Sequence, residues 1–444
     1  MILLINPDVP PDSPWGLSRM LPPLGLAYIA ATLEEAGFKV SIHDNYLLRN
    51  SIEEIKSIIM KANPDFVGIS CNSINYWKGI EIARAVKDVN PECCVILGGP
   101  HPTCMPEGVL RHREVDYVVL GEGEHTMLEL VNNYRGNSLK ELEIPGIAHR
   151  KDGGICTHSR KFIDNLDQVP MPARHLLQMQ KYDRKIEYID TEPVDILNVV
   201  RGCPFNCKFC ETKEIWGSKS RYFSPARVCN EVEHLMKNYG TKGVYFIGDN
   251  FTIDKRKTEE ICCAFIKRGL DIKWACDTRV DLLNEELLNI MKKSGCETIW
   301  FGVESGSPRI LQKINKGITI DQIINAFKLC RKVGIKTACS FLMGIPGETI
   351  DDMKASLELA KKLDPDWCQF NVYIAVPGSE LYNEVIREKL YSRMDGYTAY
   401  VKTEDFSYET VLELQKTFHK KIHRTPKRII KGITRKIALK LFKS

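Results

Sequence analysis

Short apolar runs alternate with helical segments in two long series, and that alternation restricts the chain to an α/β architecture. In the first series, apolar runs at 2–6, 39–44, 66–70, 94–98 and 117–121 read as strands. Between them, 22–36, 51–62 and 78–90 read as helices, the first closed by Gly37 at its C′ position. Strands separated by helices pair in parallel, so residues 1–145 are expected to form a flavodoxin-like, doubly wound sheet. Such sheets take ligands beyond the carboxyl ends of their strands. A second series fills 193–385, with expected strands at 196–200, 243–250, 272–281, 298–305, 337–348 and 369–378. A proline- and glycine-punctuated connector, 146–192, joins the two. It carries an expected hairpin around Asp152-Gly153 and a proline-stiffened segment at 166–173 that would cross the cleft between domains.

The first strand of the second series runs into Arg201-Gly-Cys-Pro-Phe-Asn-Cys-Lys-Phe-Cys210. Cys203, Cys207 and Cys210 therefore fall just past a strand end. Thiolates bind iron–sulfur clusters, and three of them leave one iron of a four-iron cluster open to a further ligand. Structural zinc asks for four ligands in paired C-x2-C halves, and no good second half follows.

Composition bounds the rest. With 444 residues, two domains are expected, and 43% hydrophobic content is that of a globular chain. No apolar run approaches the ~18 residues of a spanning helix. The N-terminus lacks the charged start and cleavage site of a signal peptide and reads as a strand. Sixteen scattered cysteines fit reduced thiols in an anaerobic or strongly reducing cytoplasm, not a disulfide framework.

In the first domain the informative residues sit at strand ends: Asn6-Pro7, Ser70 to Ser73, Gly98-Gly-Pro-His-Pro-Thr103 and Gly121-Glu-Gly-Glu124. Glycines there either make tight turns or let the backbone approach a large ligand.

The three-cysteine loop, with aromatic Phe209 before its last cysteine, resembles the CxxxCxxC loop of the radical S-adenosylmethionine (SAM) enzymes. The Pro22-Pro-Leu-Gly-Leu26, Gly-Gly-Pro-His and Gly-Glu-Gly-Glu segments resemble the cobalamin (B12)-binding domain preceding the radical domain in one class, the class B methyltransferases among them. The resemblance implies a partial (β/α)6 barrel over 193–385, with a [4Fe-4S] cluster on Cys203, Cys207 and Cys210. It implies SAM contacts at Phe209, Asp249 (amine), Arg279 (carboxylate), Glu304 and Ser305 (ribose and carboxylate), and Gly344 and Ile345 (adenine). Cobalamin contacts fall at Ser70, Ser73, Gly98, Gly99, His101, Gly121, Glu122 and Gly123. The Asp-x-His-x-x-Gly motif that ligates cobalt in many such domains is missing, and the loop 8–19 holds no histidine. Neither His43 nor His101 stands in that motif, so cobalamin without a histidine on its lower face is expected, with His101 packed beside or bonded to the cofactor.

The implied activity is C-methylation of an unactivated carbon. In the family mechanism the reduced cluster cleaves SAM to a 5′-deoxyadenosyl radical, which removes hydrogen from the substrate, and methylcobalamin then gives up its methyl group. Alternatives are a cobalamin-dependent cyclase or rearrangement enzyme, a non-catalytic cobalamin-binding protein, and a methylthiotransferase. The last would need a cysteine soon after the first strand, and none precedes Cys71. The substrate class is open between small molecule, lipid and peptide. A reducing partner such as flavodoxin or ferredoxin is implied, and no specific nucleic acid is expected.

The extension 386–444 ends in a basic stretch. Beyond Glu413 there are 11 Lys and Arg and no acid, with Ile429, Ile430, Ile433, Ile437 and Leu441 at helical spacing. It reads as an amphipathic helix that packs on the barrel or makes weak contact with an anionic membrane surface.

Overall fold

The computed structural model describes residues 1–9, 21–134 and 143–423. Most of the histidine-free loop after the first strand, and the expected basic helix of Ile429 to Leu441, lie outside the described residues.

The first sheet contains β1 (Ile2–Asn6), β2 (Val40–Asp44), β3 (Phe66–Ser70), β4 (Cys94–Gly98), β5 (Tyr117–Val119), β6 (Ile147–Lys151) and β7 (Gly154–Thr157). Its order is β2-β1-β3-β4-β5-β6-β7. The first five strands are parallel, as alternation with helices requires. The hairpin β6–β7, expected in the connector, instead adds to the edge in antiparallel fashion. Side chains alternate across the sheet: Leu3 and Ile5 pack beneath one helical layer, Ile2 and Leu4 beneath the other. The chain reverses direction across the sheet between β1 and β3, where an open α/β sheet has its crevice.

The second sheet contains β8 (Val194–Arg201), β9 (Arg221–Tyr222), β10 (Gly243–Gly248), β11 (Lys273–Thr278), β12 (Cys296–Glu304), β13 (Lys336–Met343) and β14 (Trp367–Val372). The order β14-β13-β12-β11-β10-β8-β9 puts six parallel strands in succession, with β9 antiparallel on β8. Local chemistry sets the helix boundaries. Ser224, Asp254 and Asn284 cap helix N-termini through their side chains, and Thr319 and Thr349 form capping boxes. Gly240, Gly269 and Gly334 end helices in the left-handed conformation.

The 386–444 extension holds a hairpin that was not expected and a helix that was. A hairpin of β16 (Tyr391–Asp395) and β17 (Thr398–Val401) pairs with β15 (Ile374–Ala375). Asp395-Gly396 is the turn signal that would have revealed it. The helix Tyr408–His423 lies on β14, where Gln415 Nε2 donates to the Phe370 carbonyl at 2.7 Å.

The connector touches both domains. Ala173 N donates to the Ala27 carbonyl at 2.9 Å. The buried Arg174 guanidinium donates to the Ile196 carbonyl at 2.9 Å and to Glu231 Oε1 at 2.7 Å.

Candidate active site

The cysteine loop leaves β8 through Gly202 at φ +91°, where a Cβ would stand 2.2 Å from the Lys219 carbonyl oxygen, so only glycine fits. Backbone bonds then shape the loop: Cys203 N to Gly217 O at 3.1 Å, Lys208 N to Ile314 O at 3.0 Å and Cys210 N to Cys207 O at 3.1 Å. Asp249, just past β10, brackets both ends. Its Oδ2 accepts from Gly202 N at 2.6 Å and its Oδ1 from Thr212 Oγ1 at 3.1 Å, while that hydroxyl oxygen accepts from Cys210 Sγ at 3.2 Å. Asn250 Nδ2 donates toward Cys203 Sγ at 3.5 Å, and Arg279 Nη1 lies 4.0 Å from Cys207 Sγ. Burial pushes the Cys203 and Cys207 thiols up, and Lys316 and Arg279 oppose it at Cys207.

The other strand-end residues gather around this loop. Arg279 is buried over the Phe205 ring at 3.8 Å and forks onto Asp281 through two 3.0 Å bonds. Its guanidinium is thus largely engaged within the fold. Glu304 ends β12 at φ +66° and accepts from the buried Lys316 Nζ at 2.8 Å. Lys316 also lies 5.7 Å over the Phe209 ring. The Ser305 hydroxyl is turned away, accepting from Ser307 N at 3.1 Å and facing Ser356.

At the end of β13, the amides of Gly344 and Ile345 donate to Glu348 Oε2 at 2.7 and 3.1 Å. Both amides are therefore committed within the turn. Burial raises the Glu348 carboxyl to about 8, and the two amides only partly offset this. A folded-state pKa above the ordinary 4.5 means the native protein holds this proton more tightly than the unfolded chain. The contribution is present below the unfolded value and is lost as pH rises from 4.5 through about 8. The Glu348→Gln variant is expected to flatten that part of the melting temperature against pH. An unchanged slope would contradict it.

A cavity opens between the domains. Ser70, Gly98, Gly99, Gly121, Glu122 and Gly123 line it from the first domain, and Asn198, Arg201 and Ile247 from the second. Gly99 has φ +94° and ψ −173°, and a Cβ there would meet the Cys71 carbonyl oxygen at 2.7 Å. The Glu122 carboxylate is saturated by Arg201, Arg221 and the Ile163 amide.

Ser73 and His101 fall outside the residues lining this cavity. His101 Nδ1 pairs with Ser73 Oγ at 3.0 Å, and its ring packs against Tyr76 and Tyr397 at 4.3 and 5.3 Å. Burial lowers its pKa to about 4, so the ring is neutral at physiological pH. The reason for this placement is the β16–β17 turn, which sets Tyr397 over the helix Pro100–Cys104 and lets Thr398 Oγ1 donate to the Ser73 carbonyl at 3.3 Å. His43 stands on β2, also outside the cavity lining.

Residues 197–360 match the Radical SAM superfamily, and residues 18–131 match the B12 binding domain. An uncharacterized methyltransferase of Pyrococcus horikoshii is 37% identical over 420 residues, spanning 93% of this chain and 90% of its own. The chain belongs to the cobalamin-dependent branch of the radical SAM superfamily. It is also 31% identical over 373 residues to an anaerobic magnesium-protoporphyrin IX monomethyl ester cyclase of Rubrivivax gelatinosus, covering 82% of this chain and 66% of the cyclase. The fold matches that of the radical SAM methyltransferase TsrM from Kitasatospora setae, solved with cobalamin and a [4Fe-4S] cluster bound. The TM-score is 0.73 at 18% identity, over 89% of this chain and 79% of TsrM.

This radical SAM enzyme has residues that fit both groups. Among the described residues, no three His, Cys, Asp or Glu converge on a single ion. A cubane asks for no such convergence, because each thiolate takes its own iron. The donors facing Cys203 and Cys207 suit anionic sulfur. For cobalamin, the cavity runs from the glycine turns into an apolar slot between the first sheet and the helices Leu24–Glu35 and Gly123–Tyr134, walled by Leu4, Ile96, Leu26 and Met127. That slot suits an apolar portion of such a cofactor, with the glycine turns at its mouth.

Sequence reasoning missed Asn250, Thr212, Lys316 and Arg221, and named Glu124 only as part of the Gly-Glu-Gly-Glu segment. Asn250 directly follows Asp249 at the end of the expected strand 243–250, which is the signal that could have found it. Lys316, in Ile314-Asn-Lys-Gly317, carries no local pattern, and only the barrel brings it to Glu304.

Proposed function

We propose that this chain is a cobalamin-dependent radical SAM C-methyltransferase. One observation carries the reading: Arg201, two residues before Cys203, lines the same cavity as Gly99 and Gly121 of the first domain. The strand that leads into the cluster loop and the glycine turns thus wall one interdomain space.

When bound, SAM on the cluster supplies hydrogen-atom abstraction, and cobalamin supplies the methyl group. The chain's own part is to bind and orient. Cys203, Cys207 and Cys210 hold the cluster, and Asp249 and Thr212 fix the loop that carries them. Asn250 and Arg279 direct N–H groups toward the sulfurs. The Lys316–Glu304 pair places a fixed dipole beside Phe209, within the expected SAM site. Gly98, Gly99, Gly121 and Gly123 would let backbone approach the corrin, and neither His43 nor His101 lines the cavity. Cys210 is exposed, which gives a flavodoxin- or ferredoxin-like donor a short route to the cluster. Among the described residues no helix is long and apolar enough to cross a membrane.

The cyclase relative supports a second reading, radical cyclisation without methyl transfer. Anaerobic turnover of candidate small-molecule, lipid or peptide fractions with methyl-labelled SAM separates the two. A product heavier by one CH2 and carrying the label is expected. A rearranged product without label would establish the second reading.

A further inference from the structure

A buried network of four charged side chains crosses the domain boundary, and neither cofactor accounts for it. Arg201, the last residue of β8, donates through Nη1 to Glu122 Oε1 at 2.8 Å and through Nη2 to Glu124 Oε1 at 2.7 Å. Its β9 partner in the sheet, Arg221, donates through Nη1 to both oxygens of Glu122 at 2.9 and 2.8 Å. Arg221 also donates to the Ile163 and Trp216 carbonyls at 2.8 Å each, while Ile163 N donates to Glu122 Oε2 at 2.7 Å. All four side chains are buried, none more than 5% exposed. Tyr28 and Trp216 pack against the Arg201 guanidinium at 5.3 and 5.0 Å.

The two acids alternate with Gly121 and Gly123 where β5 leads into the helix Gly123–Tyr134, and those glycines line the interdomain cavity. Arg201 is separated from Cys203 only by Gly202. The network therefore joins the cobalamin-side turn directly to the root of the cluster loop. We infer that the Arg201–Glu122–Glu124–Arg221 network is a positioning device that fixes the spacing and orientation of the cobalamin and cluster sites, an inference resting on the function proposed above.

Three physical points support a positioning role. A buried ion network gives little net stability compared with apolar packing of the same volume, so cohesion alone is a poor reason for four buried charges. A guanidinium forking onto two carboxylates fixes both distance and angle, which a single contact does not. The two positive and two negative charges balance, and Arg221 and the Ile163 amide hold Glu122 from its far side, so the fork has one low-energy setting.

The test is the magnetic coupling between protein-bound cob(II)alamin and the reduced cluster, read by electron paramagnetic resonance without substrate. Wild-type protein is expected to give one narrow coupling distribution. Arg201→Lys supplies a point charge that reaches one carboxylate and not both. Glu124→Gln removes one charge on the opposite domain while keeping the side chain's shape. Each is expected to lose the narrow distribution, giving a broadened one, in protein that carries both groups. Variants that load both groups and keep the wild-type distribution overturn the inference, even if they melt earlier. If Arg201→Lys fails to load its cluster, Glu124→Gln, which leaves the cluster loop intact, decides by the same two outcomes. Wild-type protein unable to bind cobalamin or cluster would overturn the functional reading itself, and its own spectrum would show which had failed.

Discussion

Replacing Cys203, Cys207 and Cys210 together with alanine is expected to leave a folded protein that carries no iron and makes no 5′-deoxyadenosine from SAM. Reconstituted wild-type protein should carry about four irons. The loss should be specific because the backbone contacts that shape this loop survive the change. Only the side-chain contacts of Cys210 with Thr212, of Cys203 with Asn250 and of Cys207 with Arg279 go. The surviving contacts run through backbone groups of Cys203, Lys208 and Gly202, the last held by Asp249. Of the three side chains only Cys203 is buried, so little core packing is lost. Circular dichroism and melting should thus stay near wild type while the cluster absorbance vanishes. Undiminished iron in the triple variant would refute the assignment.

Gly99→Ala should act on the other cofactor alone. Gly99 occupies a region of backbone space essentially reserved for glycine, at about 1–3 kcal/mol for any other residue. The added methyl would also press against the Cys71 carbonyl oxygen at 2.7 Å and the Cys71 amide at 3.1 Å. Relief requires the turns after β3 and β4 to separate, and both contribute to the cavity wall through Ser70 and Gly98. Cobalamin affinity is expected to fall about tenfold or more, since each 1.4 kcal/mol is a factor of ten. Iron content should be unchanged, because the cluster loop belongs to the second sheet. Equilibrium titration with hydroxocobalamin checks this, and wild-type affinity would remove Gly99 from the site.

What could be read beforehand was mostly local. The parallel strands were legible because apolar runs, capping residues and C-terminal glycines recur in chain order. The cysteine loop was legible because its spacing is contiguous in sequence. The strand-end glycines announced a cavity for the same reason, and Ser70, Gly98, Gly99, Gly121 and Gly123 do line one.

Side-chain roles that depend on distant partners were not legible. Glu122 looks like a cofactor contact from its glycine neighbours, yet its carboxylate answers arginines 79 and 99 residues away. Asp249, expected at the SAM amine, also accepts from the loop it supports, and its place after β10 does not announce those partners. His101 sits in a recognisable segment, and only the β16–β17 turn explains why its ring faces Tyr397. The hairpin of β6 and β7 was expected from Asp152-Gly153, but its attachment to β5 is a tertiary choice that a turn signal does not encode.

The most direct measurement is made on one purified chain, reconstituted anaerobically with iron, sulfide and hydroxocobalamin, desalted, and incubated with reductant and SAM. A chain whose cluster loop leaves the strand that walls the glycine-lined cavity should retain cobalamin one to one alongside about four irons, and release 5′-deoxyadenosine. Protein that keeps its cluster and cleaves SAM but washes free of cobalamin would contradict it.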